Sequence, residues 1–376
     1  MDQYTTNKTS ARLVAFALPF LFIGTLQLAG CASNKLPPPP PGGAYRSTSG
    51  GAQFDQSVNL VDETGALTGY ISQLSLRTIH RTSADPAIIY ATAAGQGIVV
   101  SRDDGVTWQK ANQPLASAMG ISMIGDGVLL TSGTNDDGEG IIIRSLDSGY
   151  SWERVLTIPA FKKDKKPFFM EIIKPPPPPP VYVSTIVPNP FHQDRAYATT
   201  STGDLLAGEQ SGKVWYNILT VSPIGKVFPS PHQDEELLLV TTDGKLFRSQ
   251  GEEEEALTLP SGAKALDAAY IKQFPDALLI GTNQGAYISR DRGVNWLKLA
   301  LPISTSAPLR NIVVRVSPTN ANRFLISVDS VLYRSEDGGE TWNALSLNLP
   351  NHVITDISID PQNAARVLAV TTPIQT

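Results

Sequence analysis

The octet SEDGGETW, Ser335–Trp342, closes the strand-like run RFLISVDSVLYR and has the form S-x-D-x-G-x-T-W. Such a stretch is either a catalytic loop or a repeated device for folding a hairpin, and recurrence decides between them. Three further copies stand in the chain: SRDDGVTW at Ser101–Trp108, SLDSGYSW at Ser145–Trp152 and SRDRGVNW at Ser289–Trp296. Two more positions look like eroded copies. GEQSGKVW, Gly208–Trp215, keeps the Gly and the Trp, while SQGEEEEA, Ser249–Ala256, keeps only the Ser. The starts at 101, 145, 208, 249, 289 and 335 lie 44, 63, 41, 40 and 46 residues apart. An insertion explains the long interval, and a period of about 40–46 residues belongs to propeller-type repeats.

Each period has the same internal order. AAYIKQFPDALLIGTNQGAYISRDRGVNWLKL gives a strand, a Pro/Asp turn, ALLIGT, GAYIS, the octet and a last strand. Four short strands make one propeller blade, and the octet joins the third to the fourth. Its chemistry suits that place. The carboxylates of Asp103, Asp147, Asp291 and Asp337 can accept from N–H groups of their own turns, beside Ser101, Ser145, Ser289 and Ser335. Gly105, Gly149, Gly293 and Gly339 supply a backbone angle that a β-carbon opposes. Trp108, Trp152, Trp296 and Trp342 can bury a large apolar area between blades. These octets resemble the Asp-box (BNR) repeats. In that family the boxes sit at the blade periphery, away from the central channel where ligands bind, so the resemblance implies architecture and not catalysis.

The expected fold is all-β, a seven-bladed propeller of four-stranded antiparallel blades, with six or eight blades as alternatives. After the sixth box, HVITDISIDP and ARVLAVTT supply only two strands of a further blade. The outer hairpin is expected from the other end of the chain, QSVNLVDETGALTGYI, with Asp62–Gly65 as its turn. Sharing one blade between the termini removes the sheet edges of an open ring.

The N-terminus reads as a secretory signal. Lys8 and Arg12 precede the uncharged run LVAFALPFLFIGTLQLAG, which ends in Leu28-Ala29-Gly30-Cys31. The L-A-G-C ending resembles the bacterial lipoprotein lipobox, which implies cleavage before Cys31 and lipidation of that residue, the only cysteine in the chain. A plain signal peptide or a retained anchor is the alternative. The expected organisation is a signal peptide over 1–30, a Pro/Gly/Ser-rich tether over 31–53 and a propeller over 54–373. The five prolines after Leu36 favour an extended polyproline spacer. Multiple acyl chains would hold the protein on the cell envelope, in the outer membrane if the host has two membranes, since Ala32 and Ser33 follow the Cys.

Removing residues 1–30 leaves 28 basic and 34 acidic residues, a mildly acidic balance without a nucleic-acid signature. The insertion AFKKDKKPFFMEIIKPPPPPPVYV, placed at about 157–181, combines Lys162, Lys163, Lys165 and Lys166 with Phe168 and Phe169 before six prolines. Long loops in compact domains are often functional, and a basic aromatic loop suits an acidic partner or anionic headgroups. The bland reading is a surface excursion packed on a neighbouring blade. The run Glu252–Glu255 lacks calcium-loop spacing, and His192 and His232 recur in FHQD and PHQD as turn residues, so no metal or cofactor is expected.

Sialidases share Asp boxes but carry an Arg-Ile-Pro or Arg-Leu-Pro motif and an arginine triad. This chain has neither tripeptide, and Arg77 and Arg315 on inner strands find no third arginine. Other Asp-box glycosidases use two carboxylates across a cleft, for which Asp267 and Asp356 are the inner-strand candidates. No catalytic set assembles. The layout is similar to the photosystem II stability/assembly factor-like propellers, non-catalytic scaffolds that hold membrane-protein intermediates. That resemblance implies a lipid-anchored platform binding a protein partner. The alternative is a carbohydrate-active propeller, either a glycosidase or a polysaccharide binder.

Overall fold

The computed structural model describes residues 42–159 and 181–374, apart from 126, 220–222, 252, 305–306 and 348. Cys31 and the cluster Lys162, Lys163, Lys165, Lys166, Phe168 and Phe169 lie outside the described residues. The described chain forms seven antiparallel blades around a channel. Their inner strands are Leu76–Arg81, Ser117–Ile124, Val183–Pro188, Ile224–Pro229, Ala265–Tyr270, Ile312–Val316 and His352–Ile359, blades one to seven in that order.

Middle strands are sandwiched between neighbouring blades, so both of their faces must be apolar. Gly140–Ser145, Leu278–Thr282 and Phe324–Val328 are accordingly buried at every position. Outer strands meet solvent and alternate or turn polar, as Glu153–Ile158 does. That strand runs to Ile158, so the insertion begins later than the 157 expected from sequence. Six of the seven inner strands slip register once against their neighbour; only Ile312–Val316 pairs without a break. Such bulges re-aim side chains locally, here toward the next blade.

Strand polarity gives the disc two unlike faces. Turns between first and second strands share one face with the octets. Turns between second and third strands share the other with the links from blade to blade. On the octet face, three of the boxes donate a backbone N–H to the first turn of their own blade: Asp104 to Ala87, Arg292 to Asp276 and Gly338 to Asn322. The eroded copy at 208 keeps this bond, from Ser211 to Asp194. On the link face, the inner strands of blades four, five and seven are tied to the preceding blade through Ile224 N–H to Gly203, Ala265 to Gly244 and Ile354 to Asp329.

The boxes work as their composition suggests. Ser101 Oγ donates to Asp103 Oδ1 at 2.8 Å and accepts from Gly105 N–H at 2.8 Å, while Asp103 Oδ1 accepts from Thr107 N–H at 2.9 Å. Ser145/Asp147, Ser289/Asp291 and Ser335/Asp337 repeat this pattern. Two successive residues in each loop take left-handed angles, for instance Asp104 (φ 60°) and Gly105 (φ 82°). A β-carbon on Gly105 would also lie 3.0 Å from Leu368 of blade seven, so the loop needs glycine twice over. The indoles enter the seams between blades. Trp108 is fully buried against Leu368 and Val370, and Trp152, Trp215, Trp296 and Trp342 join the next seams round the ring.

Closure is shared between the termini, but by a different hairpin from the one expected. Ala44–Ser47 pairs with Val367–Pro373 and Asp55–Ser57 completes the blade outside it. The expected hairpin does form, as Asn59–Val61 against Leu67–Tyr70 around Asp62, whose carboxylate accepts from Thr64 and Ala66 N–H. It lies instead on the outside of blade one, where Asn59 and Leu60 run parallel to Thr107 and Trp108. The fold therefore begins about ten residues earlier than position 54, inside the stretch assigned to a tether.

That stretch contains a seventh box. In STSGGAQF, Ser47–Phe54, Ser47 Oγ accepts from Gly51 N–H at 3.0 Å and Ser49 Oγ accepts from Gln53 N–H at 3.0 Å. Gly50 (φ 67°) and Gly51 (φ 85°) take the left-handed pair, and Gly50 N–H bonds Ala365 O on the first turn of its blade. Phe54 stands where the tryptophan stands elsewhere, in the seam between blades six and seven. Ser49 replaces the aspartate. Ser47→Ala is expected to cost about 1–2 kcal/mol, the price of leaving buried donors unpaired. Thr48→Ala, on an exposed neighbour, should change nothing; urea unfolding of both variants checks this.

Candidate functional site

Channel-lining chemistry comes from the inner strands: Lys226, Asp267 and Asp356 each follow a register shift, and Arg315 stands on the unbroken strand. Lys226 Nζ of blade four lies 2.9 Å from Asp267 Oδ1 of blade five. Asp267 Oδ2 accepts from Val314 N–H at 3.0 Å and from Arg315 at 2.8 Å, both in blade six. Arg315 in turn reaches Asp356 Oδ1 of blade seven at 2.5 Å and donates through Nε to Ile357 O at 3.1 Å. Asp356 Oδ2 accepts from Ile79 N–H of blade one at 2.9 Å. One chain of alternating charges thus links five consecutive blades. Hydroxyls bridge other seams: Thr78 Oγ1 donates to Met119 O between blades one and two, and Thr199 Oγ1 to Gly225 O between three and four.

The two carboxylates singled out from sequence, Asp267 and Asp356, do come together, on opposite sides of one guanidinium. Burial pushes the Asp267 carboxyl up, but the charges of Lys226 and Arg315 outweigh it and hold its pKa below the ordinary carboxylate value. A glycosidase acid needs the opposite shift. Asp356 is likewise occupied, by Arg315 and two backbone N–H groups, those of Ile79 and Ile357. Arg77 points away from this chain of charges and reaches Met119. The geometry assigns Asp267, Arg315 and Asp356 to holding blades together. Sequence reading missed Lys226, whose only signal was a lysine two residues into an inner strand.

The remaining candidates fall where turn chemistry puts them. His192 and His232 each reach the first turn of the next blade, His192 Nε2 to Asp234 at 2.7 Å and His232 Nε2 to Ile271 O at 3.3 Å. His80 is different. It lies on the inner strand of blade one and its Nε2 accepts from Met123 N–H of blade two at 3.2 Å, so it must be neutral. Burial lowers its pKa to about 4. The box aspartates Asp147 and Asp337 are held at about 2, by Ser151 and Thr341 respectively.

These shifts fix the sign of the pH response. The unfolded chain protonates His80 near its ordinary value while the folded chain does not, so stability falls as pH drops from about 6.5 to about 4, by roughly 2–3 kcal/mol. The aspartates contribute stability that is complete above their unfolded pKa and is lost as pH falls below 4 toward 2. Thermal melts across pH 2–8 should show both windows, and His80→Gln should flatten the first and leave the second.

No family model matches the sequence, and no curated protein matches it. Among solved structures, YCF48 bound to D1 peptide is 16% identical at a TM-score of 0.55, covering 81% of this chain and 93% of its own. YCF48 from Cyanidioschyzon merolae is 14% identical at 0.54, over 79% of this chain and 95% of that one. The GH74 xyloglucanase from Xanthomonas campestris is 15% identical at 0.63, over 80% of this chain and 51% of the enzyme, so the chain spans about half of that enzyme's length. At these identities the likeness shows the propeller fold alone.

Proposed function

We propose that this chain is a non-catalytic propeller, lipid-anchored through Cys31 to the bacterial cell envelope, that holds a protein partner. The observation carrying this reading is the placement of three chain ends on one face. Gly42 lies beside His352, the first residue of blade seven's inner strand, and is therefore on the link face. Pro159 follows the outer strand of blade two and Val181 precedes the inner strand of blade three, which puts both on the same face. Gly42, Pro159 and Val181 thus share the link face, which is the face a proposed anchor before Gly42 would set toward a membrane. By composition, the basic and aromatic residues of the insertion, Lys162 to Phe169, suit a partner or headgroups.

Two further observations support a scaffold. The inner-strand acids are engaged in ion pairs between blades, and YCF48, which shares the fold, has been solved with a bound peptide. The second reading, a carbohydrate-active protein, rests on the fold shared with the xyloglucanase. In-cell crosslinking of the full chain, beside a variant lacking residues 160–180, separates them. A membrane-protein partner recovered with the full chain and reduced in the variant is the expected result. Recovery of envelope polysaccharide without a protein would overturn the scaffold.

A further inference from the structure

Seven apolar clusters fill the seven seams, and six of them receive an aromatic from a box: Trp108, Trp152, Trp215, Trp296, Trp342 and Phe54. The seam between blades three and four does not. Its box is the eroded one, SQGEEEEA. With neither the glycine nor the tryptophan at its octet place, the chain makes a tight hairpin in which Gln250 pairs with Glu253, and Glu254, opposite Ser249, occupies the tryptophan position. In the shortened turn, an added β-carbon on Gly251, the third residue of the octet, would meet nothing within 4 Å. In the intact boxes the fifth-place glycine presses on the preceding blade, where a β-carbon would lie 3.0 Å from Leu368 for Gly105 and 2.9 Å from Leu257 for Gly293.

A groove of about 320 Å³ opens in that place, lined by Tyr197, Ala207, Tyr216, Ile218, Leu237 and Gly251 among others. The outer strand of blade three, Val214–Leu219, presents Val214, Tyr216 and Ile218 along one face at 42%, 44% and 39% exposure. Alternate residues share a face, so this is one apolar stripe on a sheet edge, running into the groove. Its rim is acidic. Glu209 is matched by Arg195 at 3.5 Å, but Glu235 has no cationic partner among the described residues, and Glu253 and Glu254 stand on the adjoining strand.

We infer that this groove is a docking site for an extended peptide of a partner protein, which inserts one aromatic side chain where the fourth box lacks its tryptophan and sets basic residues against Glu235. The vacated position specifies the aromatic, the edge strand specifies an extended backbone, and the rim specifies the charge. The inference rests on the scaffold reading and names where on the disc a partner binds.

The test uses the full chain and an eight-residue synthetic peptide alternating lysine with valine, with one tryptophan at a central valine position. It is compared with the same peptide carrying alanine for tryptophan, and with glutamate for lysine. By calorimetry the tryptophan peptide should bind about tenfold more tightly than either. Ile218→Lys and Glu235→Lys, both at exposed positions, should each weaken it severalfold without lowering the melting temperature. Equal affinity for tryptophan and alanine peptides would overturn the inference, as would unchanged binding by Ile218→Lys. A tenfold gain in affinity on removing residues 160–180 would place that segment in the groove instead. Concentration-dependent dimers abolished by Ile218→Lys would place a second copy there. If the in-cell partner still crosslinks to Ile218→Lys in full yield, the groove fails and the scaffold stands; if no protein crosslinks at all, the scaffold fails.

Discussion

A chain beginning at Phe54 is expected to lose the cooperative unfolding that a chain beginning at Gly42 retains. The deleted residues include Ala44–Ser47, which carries four paired positions against Val367–Val370. They also include Ala44 and Tyr45, buried in the two seams that flank blade seven. Arg46 would go as well. It forms one side of the clasp around Asp104, which also takes Arg81 at 2.5 Å and lies 3.8 Å from Arg366. Burying each large side chain contributes about 1.5–3 kcal/mol, and removing one partner of a buried ion pair costs about 3–5 kcal/mol. Together these rival the whole stability of an ordinary domain, about 5–15 kcal/mol. The truncated chain would also expose the edge of Val367–Pro373, a strand buried over its first five residues and then open to pairing with another molecule. Calorimetry should show no sharp transition for the shorter chain, and light scattering should show association. A sharp melt from both chains would mean that the N-terminal strand does not close the ring.

Arg315→Ala should be the most costly single substitution in the channel, about 3–5 kcal/mol, because it strands a carboxylate beneath the surface. Asp267 is 2% exposed at its side chain and would keep only Lys226 and one backbone N–H. Asp356 would keep only N–H partners. Arg315→Met restores most of the lost volume without the charge and should recover little. Adding Asp267→Asn to Arg315→Met should recover at least about 1 kcal/mol, since the buried charge then goes with its partner. Additive losses in that double-mutant cycle would mean that the two residues are not coupled.

The blade count was legible because the octets repeat a structural requirement, a serine and aspartate turn with two left-handed residues, and their spacing is the blade length. The seventh box was not legible for the same reason in reverse. Ser47 and Ser49 supply hydroxyls where carboxylates stand elsewhere, and STSGGAQF, lying soon after five prolines, has the composition of a flexible spacer. Its signal was the spacing itself, a serine four residues before a glycine and seven before an aromatic. The hairpin around Asp62 was read correctly as a hairpin and assigned to the wrong blade, because local alternation fixes strands but not the sheet edge they join. The charge chain joins Lys226, Asp267 and Asp356, each set just after a bulge, to Arg315 on an unbroken strand, across sequence separations of about forty residues. Pattern alone does not carry that. The groove between blades three and four was present in the sequence only as a loss, in the run where SQGEEEEA replaces a box.

The central claim is that this propeller binds a protein, and site-resolved photocrosslinking in cells tests it most directly. A photoreactive residue would replace Tyr216 at the groove, Lys226 at the channel and Tyr150 on the octet face of the full chain. One protein adduct of defined mass is expected at position 216, with little at 150. Absence of a protein adduct at all three positions, with envelope glycan retained at position 226, would contradict it.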